Sequence, residues 1–130
     1  MATGTRDSVI LGGRIVGAAL TVWMAWIHLQ LWLDGFRDID VIGVLFLLNV
    51  IGAAGLALLV LITPRRWLTI LAGLGALFTA GTLGALVISL TGGLFGVNET
   101  MDTPMVLTTI LVESAGTIVL VALSLAARRR

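Results

Sequence analysis

The sequence predicts an all-α integral membrane protein, built as an up-down-up-down four-helix bundle. Hydrophobic residues make up 58% of the 130 residues and charged residues only 12%, a balance that soluble domains do not have. The mean hydropathy of +1.12 gives the same indication. Four apolar stretches are each long enough to cross a hydrocarbon core of about 30 Å. Because they occupy nearly the whole chain, we expect residues 1–130 to form a single transmembrane domain.

The four predicted spans are separated by short polar connections. They cover about residues 12–33, 41–62, 67–90 and 105–127. Pro64 disfavours continuation of the second helix, and the paired Arg65 and Arg66 favour a position in water or among lipid head groups. The first stretch is longer than the apolar region of a signal peptide, about 7–15 residues, so we expect a retained span. Connections this short make consecutive spans antiparallel neighbours.

Arginine positions predict how the spans are oriented. Short cytoplasmic flanks of membrane proteins are enriched in Lys and Arg. Seven of the eight arginines fall in the N-terminal flank, the second connection and the C-terminus, namely Arg6, Arg14, Arg65, Arg66, Arg128, Arg129 and Arg130. Only Arg37 falls in the connections 34–40 and 91–104. We therefore expect both termini in the cytoplasm and these two connections on the outer side.

The composition excludes several kinds of site. Cysteine is absent and His28 is the only histidine, which excludes disulfides, thiolate metal sites and a bis-histidine haem site within one chain. The arginines are spread over separate flanks, so we expect no nucleic acid partner. No nucleophile–base pair, metal-ligand spacing or cofactor motif is present, so we expect no cofactor and a non-catalytic role. The absence of lysine with 16 glycines is typical of a high-GC bacterial genome and indicates the cell inner (plasma) membrane.

Small and polar residues are expected to face the interior, because helices in lipid pack through small residues and hydrogen bonds. In span one such residues recur at helical spacing, at Arg14, Gly17, Thr21, Met24 and His28. Span three has a small residue at every fourth position, at Ala72, Ala76, Ala80 and Gly84. We expect this ladder to be a close contact along its whole length, so that Gly84→Leu disrupts the bundle more than Leu86→Ala does.

Glu113 is the residue that most needs an explanation, since an acidic side chain deep in a span costs a few kcal/mol. It therefore has to face the interior. Counted from the outer ends of their spans, Glu113 and Asn49 lie about eight residues deep and His28 about five. The sequence predicts that these three residues form one buried polar cluster in the outer half of the membrane. Four charged residues lie closer to the outer mouth: Asp34, Arg37, Glu99 and Asp102.

The cluster has two interpretations. In the first, His28 and Glu113 form a proton or small-ligand site, because an imidazole with its ordinary pKa of about 6.5 exchanges protons at physiological pH. In the second, Glu113 is protonated and hydrogen-bonded to His28, Asn49 or a threonine, which fixes the helix register at about 1 kcal/mol per bond. The second interpretation predicts that Glu113→Leu destabilises the bundle, because that change leaves the partners unsatisfied.

Several features between residues 14 and 90 have a counterpart in a known family. The first span opens with Arg14-Ile15-Val16-Gly17 and has His28 near its outer end, residues 51–59 are rich in Gly, Ala and Leu, and Pro64 precedes two arginines. This order resembles small DoxX-like four-helix membrane proteins. Proteins of that type are linked to membrane redox assemblies, so the resemblance implies a quinone-side or accessory role. It assigns no catalytic residue.

Three functions are expected from these observations. The first is a non-catalytic subunit, or partner-binding component, of a larger membrane assembly, in contact with the bilayer and with a protein partner or further copies of the chain. The second is an oligomeric proton-coupled or small-solute transporter that uses Glu113 and His28. The third is a quinone-interacting redox accessory protein. They differ in whether the polar cluster holds helices together, moves a proton or binds a ligand.

Overall fold

The computed structural model of the protein is all-α, and it describes residues 2–103 and 105–128. Within this part of the chain the helices are α1 (Ala2–Leu33), a short 3₁₀ helix (Phe36–Asp38), α2 (Ile42–Ile62), α3 (Arg65–Thr91) and α4 (Val106–Arg128). Each of the four α-helices is long and apolar enough to cross a membrane. The predicted all-α class with four membrane-length helices is therefore confirmed. Arg129 and Arg130, two of the arginines used to predict the orientation, lie outside the described residues.

The first helix extends beyond the apolar stretch that marks the predicted first span. It begins at Ala2, and two charged residues of its N-terminal half contact other parts of the chain. Arg14 donates a hydrogen bond of 2.9 Å to the carbonyl oxygen of Val60, in the last turn of α2, where the carbonyls have no partner within the helix. Asp7 pairs with Arg65 at 2.9 Å. Hydropathy marks only where a helix is apolar. It therefore does not predict the polar turns before residue 12, where Asp7 pairs with Arg65.

Neighbouring helices contact each other in antiparallel order. Arg14, near the beginning of α1, reaches the end of α2. Thr69, near the beginning of α3, and Ser124, near the end of α4, exchange two hydrogen bonds: each hydroxyl donates to the carbonyl oxygen of the other residue, at 3.2 Å and 2.7 Å. The first helix also packs along α4, but α2 and α3 contact each other much less. The bundle is therefore closed on three sides and thinly joined on the fourth.

Charged residues distinguish the two ends of the bundle. The arginine end, where α1 and α3 begin and α2 and α4 end, holds the described Arg6, Arg14, Arg65, Arg66 and Arg128. The acidic end, formed by the connections 34–41 and 92–105, holds Asp34, Asp38, Asp40, Glu99 and Asp102 together with Arg37. The arginine end also contains Asp7. Charge is thus separated along the axis of the bundle.

Two hydrophobic clusters form the core. The larger contains Ile10, Val60, Leu68, Ala72, Ala76, Leu120, Leu123 and Ala127, and the second contains Met24, Ala25, Ile27, Ala53 and Val112. Leu120 is fully buried and occupies space next to two glycines. A methyl group placed on Gly17 or Gly75 would come within 3.0 Å or 3.2 Å of the Leu120 side chain. The missing side chains of these glycines therefore let α1, α3 and α4 approach one another around Leu120.

The predicted ladder of small residues on α3 is only partly at a helix contact. Ala72 and Ala76 are buried, but Ala80 is exposed, and a methyl group placed on Gly84 would meet no other atom within 4 Å. The expectation of a close contact along the whole ladder is therefore wrong. A step of four residues turns about 40° beyond one full helical turn, so three steps rotate the stripe by about 120°. The buried face follows the spacing of Leu68, Ala72, Gly75, Ala76 and Thr79 instead.

We predict that Gly75→Leu destabilises the bundle by about 1–3 kcal/mol, because the added side chain has to displace Leu120. The matched control is Gly84→Leu, the same change on the same helix, for which we expect an effect within about 0.5 kcal/mol. Thermal unfolding of both variants in one detergent measures the difference. An equal loss of stability in the two variants would contradict the packing described for α3.

Candidate functional site

A cavity of about 390 Å³ lies in the half of the bundle nearer the acidic end, and its size is that of a small-molecule site. Its wall is mostly apolar and consists largely of side chains from α2, α3 and α4. Leu48 of α2 and Leu77 of α3 line the cavity and are also 56% and 71% exposed on the outside of the bundle. Because α2 and α3 contact each other so little, we infer that the cavity opens sideways between them.

Glu113 reaches this cavity from α4 and is the most completely buried polar residue there. Its exposed fraction is 0%. Among the described residues, neither Oε1 nor Oε2 has a hydrogen-bond partner. Burying a carboxyl without a partner costs stability. The hydrogen bonds by which Glu113 would hold neighbouring helices together are therefore not formed among the described residues.

His28 faces Glu113 from α1. The distance between Nε2 of His28 and Oε2 of Glu113 is 4.0 Å, too long for a direct hydrogen bond. The other ring nitrogen, Nδ1, is 2.9 Å from the carbonyl oxygen of Met24. A carbonyl oxygen only accepts, so we assign the hydrogen to Nδ1, and Nε2 of the neutral ring then has a free lone pair. Phe46 packs against the imidazole at 4.8 Å between ring centroids, and Phe36 stacks on Phe46 at 4.9 Å.

Asn49 lines the same cavity from α2, but it forms its hydrogen bond elsewhere. Its Nδ2 donates to Oγ1 of Thr82 on α3 at 3.0 Å, and Thr82 donates in turn to the carbonyl oxygen of Phe78 at 3.0 Å. The buried Oδ1 of Asn49 has no partner among the described residues. The structure thus brings His28, Asn49 and Glu113 to one cavity, and it places Nε2 of His28 4.0 Å from Oε2 of Glu113.

Of the four residues expected near the outer mouth, only Glu99 lines the cavity. Its backbone N–H donates to both the carbonyl and the hydroxyl oxygen of Ser89, each at 3.1 Å, which fixes the connection 92–105 against the end of α3. Asp34, Arg37 and Asp102 are exposed. The guanidinium of Arg37 lies over the ring of Trp32, 5.8 Å from its centroid. These three residues contribute to the charge of the acidic end but do not form the cavity wall.

No residue of α3 is among the predicted site residues, although α3 contributes a large part of the cavity wall. Phe78, Thr82 and Ser89 all line the cavity. Thr82 and Ser89 are seven residues apart and lie on one face of the helix. This pair of polar residues is the sequence signal for a polar face on α3. The ladder of small residues lies on another face of the helix and does not indicate the cavity.

The described residues do not include a metal-binding arrangement: within residues 2–103 and 105–128, no three His, Asp or Glu side chains are grouped closely enough to share an ion. No protein-family model, curated protein or solved structure matches the chain. Function is therefore inferred from the geometry of the cavity. That geometry is an apolar chamber with an unpaired carboxyl in its wall, beside an imidazole nitrogen that can accept a hydrogen bond.

Proposed function

We propose that the chain is a multi-pass protein of the cell inner (plasma) membrane, arranged as an up-down-up-down bundle with both termini in the cytoplasm. Four helices of membrane length support the insertion. The charge separation supports the orientation, because five described arginines lie at one end and cytoplasmic flanks are the ones enriched in arginine. In this orientation the acidic end lies on the outer side and the cavity opens toward the lipid.

Reporter fusions test this orientation. We predict that reporters fused at residue 130 or inserted within residues 63–66 are active in the cytoplasm. Reporters inserted at residue 36 or 97 should be active only on the outer side, because Arg37 is the single arginine in those connections. Each position is tested with one reporter that works only inside the cell and one that works only outside. An outer location for residue 130 would contradict the proposal.

We propose further that the function of the bundle is to bind a small, largely apolar molecule from the bilayer in the cavity between α2 and α3. The observation that carries this proposal is the mostly apolar cavity with the buried Glu113 carboxyl in its wall, which has no hydrogen-bond partner among the described residues. Proteins bind small molecules in concave, mostly apolar sites of about 300–1,000 Å³ that contain a few well-placed polar groups. A buried carboxyl that costs stability is best explained by a ligand that satisfies it.

Such binding is compatible with each function expected from the sequence. A transporter binds its solute, a quinone-side accessory protein binds a quinone, and a non-catalytic subunit holds a ligand within its assembly. The cavity supports the binding step that these functions have in common, and it needs no catalytic residue or cofactor. We propose that the protein lies in the bilayer, in contact with a protein partner or with further copies of the chain.

The test uses naphthylethanol, a small neutral probe, and the protein in phosphatidylcholine nanodiscs. We predict that equilibrium dialysis shows more probe bound to discs with protein than to empty discs. Gly81→Phe should weaken this binding by about tenfold, since Gly81 lines the cavity and a methyl group there meets no atom within 4 Å. The new ring then fills ligand space without disturbing a helix contact.

Gly55→Phe is the matched control for this experiment. A methyl group on Gly55 also meets no atom within 4 Å, but Gly55 is not part of the cavity wall. We expect its binding of naphthylethanol to be unchanged. An equal loss of binding in the two variants would contradict the proposed function.

A further inference from the structure

Three of the four hydroxyl groups in the cavity wall donate their hydrogens to backbone carbonyl oxygens. Thr82 donates to the carbonyl oxygen of Phe78 at 3.0 Å, Ser89 to that of Val97 at 2.9 Å, and Thr109 to that of Met105 at 2.6 Å. A hydroxyl has one hydrogen, so these groups offer a ligand only lone pairs. The fourth hydroxyl, that of Thr103, pairs with the hydroxyl of Thr100 at 3.2 Å. The wall is therefore poor in available donors.

When Glu113 is ionised, as it is beside a cation, the polar atoms that have no partner are all acceptors. Among the described residues, the buried atoms without a hydrogen bond are Oδ1 of Asn49 and both carboxyl oxygens of Glu113. Nε2 of His28 is also an acceptor in the neutral ring, because Nδ1 donates to Met24. A second hydrogen on Nδ2 of Asn49 is the remaining side-chain donor of these three residues. A ligand that satisfies this set has to supply N–H or O–H groups.

The charges around the cavity favour a cation. Its ionisable wall residues are His28, Glu99 and Glu113, with no arginine among them. The second helix has no charged residue, and the described arginines of α1, α3 and α4 lie toward the arginine end. Five acidic residues and Arg37 surround the acidic end. A surface with this balance attracts positive ligands and repels negative ones.

We propose that the ligand is a lipophilic ammonium, meaning an apolar body that carries a protonated amine, whose N–H groups bond to Glu113 and His28. This proposal rests on the proposed function and specifies its ligand class. Two N–H bonds of ordinary length reach acceptors roughly 4–5 Å apart, and Oε2 of Glu113 and Nε2 of His28 are 4.0 Å apart. The rings of Phe46 and Phe78 line the same space and are suited to contact a cation and its apolar body.

The donors, acceptors and charges of the cavity wall disfavour other apolar ligands. A neutral carbonyl compound, including a quinone, presents acceptors to a wall that already consists mainly of acceptors. A fatty acid presents an anion beside Glu99 and Glu113, where like charges repel each other. An alcohol supplies one donor but does not compensate the charge of a carboxylate. An ammonium supplies both the donors and the charge.

The experiment compares three probes with the same ring: naphthylethylammonium, naphthylethanol and naphthylethyl methyl ether. Each is dialysed against the full-length protein in zwitterionic phosphatidylcholine nanodiscs, with empty discs as the reference. We expect the ammonium to bind at least about tenfold more tightly than the alcohol, and the ether to bind most weakly, since hydrogen bonds with a charged partner are the stronger ones. Equal affinities for the ammonium and the ether would overturn the proposal.

Single-residue variants test whether the cation binds in the cavity. Glu113→Gln keeps the shape of the side chain and removes its negative charge, so the preference for the ammonium over the alcohol should fall to about twofold or less. Asp7→Asn is the matched control, because it makes the same chemical change at an exposed residue of the arginine end, and it should keep the full preference. A preference that persists in Glu113→Gln, or ammonium binding that Gly81→Phe leaves unchanged, would overturn the proposal.

The outcomes separate this proposal from the proposed function. If both neutral probes bind as tightly as the ammonium and Gly81→Phe weakens all three, the cavity is a ligand site but is not selective for cations, so only the ligand class is wrong. If none of the three probes binds above empty discs, both proposals are wrong. The comparison of probes on the parent protein does not depend on the folding of any variant.

Discussion

The Glu113 carboxyl is buried without a hydrogen-bond partner among the described residues, and the acidic half of the bundle is arranged around this constraint. Such a group costs about 1–3 kcal/mol or more, and hydrocarbon around a membrane protein offers it no compensation. The protein provides a neighbouring imidazole, His28, at 4.0 Å, and a cavity from which a ligand can approach. A bundle selected only for stability would have an apolar side chain at this position. The buried carboxyl therefore supports the ligand-binding function that we propose.

The cavity exists because the helices approach one another differently in the two halves of the bundle. Toward the arginine end, Gly17 and Gly75 leave room for Leu120, and α1, α3 and α4 pack closely around it. Between α2 and α3 the contact includes the Asn49–Thr82 hydrogen bond and the ring of Phe78 against Gly52, where an added methyl group would come within 2.9 Å of that ring. The thin contact leaves space between these two helices, and residues of both helices line the cavity.

The sequence predicts the helices better than it predicts how they are rotated against one another. Hydropathy shows where the chain is apolar, and the four membrane-length helices follow from it directly. The depth of Glu113, Asn49 and His28 could be counted from the span ends, and all three residues are buried. Depth does not specify rotation about the helix axis. The sequence therefore does not predict the hydrogen bond from Asn49 to Thr82, nor that Gly84 lies away from a close helix contact. The cavity depends on distances between helices, for which no single stretch of sequence carries a signal.

Thermal stability after replacement of Glu113 distinguishes a carboxyl available to a ligand from one that holds the helices together. Ser124→Ala is the reference, because it removes a formed hydrogen bond between α4 and α3, and it should lower stability by about 1 kcal/mol. The account predicts that Glu113→Leu unfolds in the same detergent at the same or a higher temperature than the parent, since it removes a buried carboxyl that satisfies no partner. A loss of stability in Glu113→Leu as large as that in Ser124→Ala would show that the carboxyl holds the helices together, and it would contradict the account.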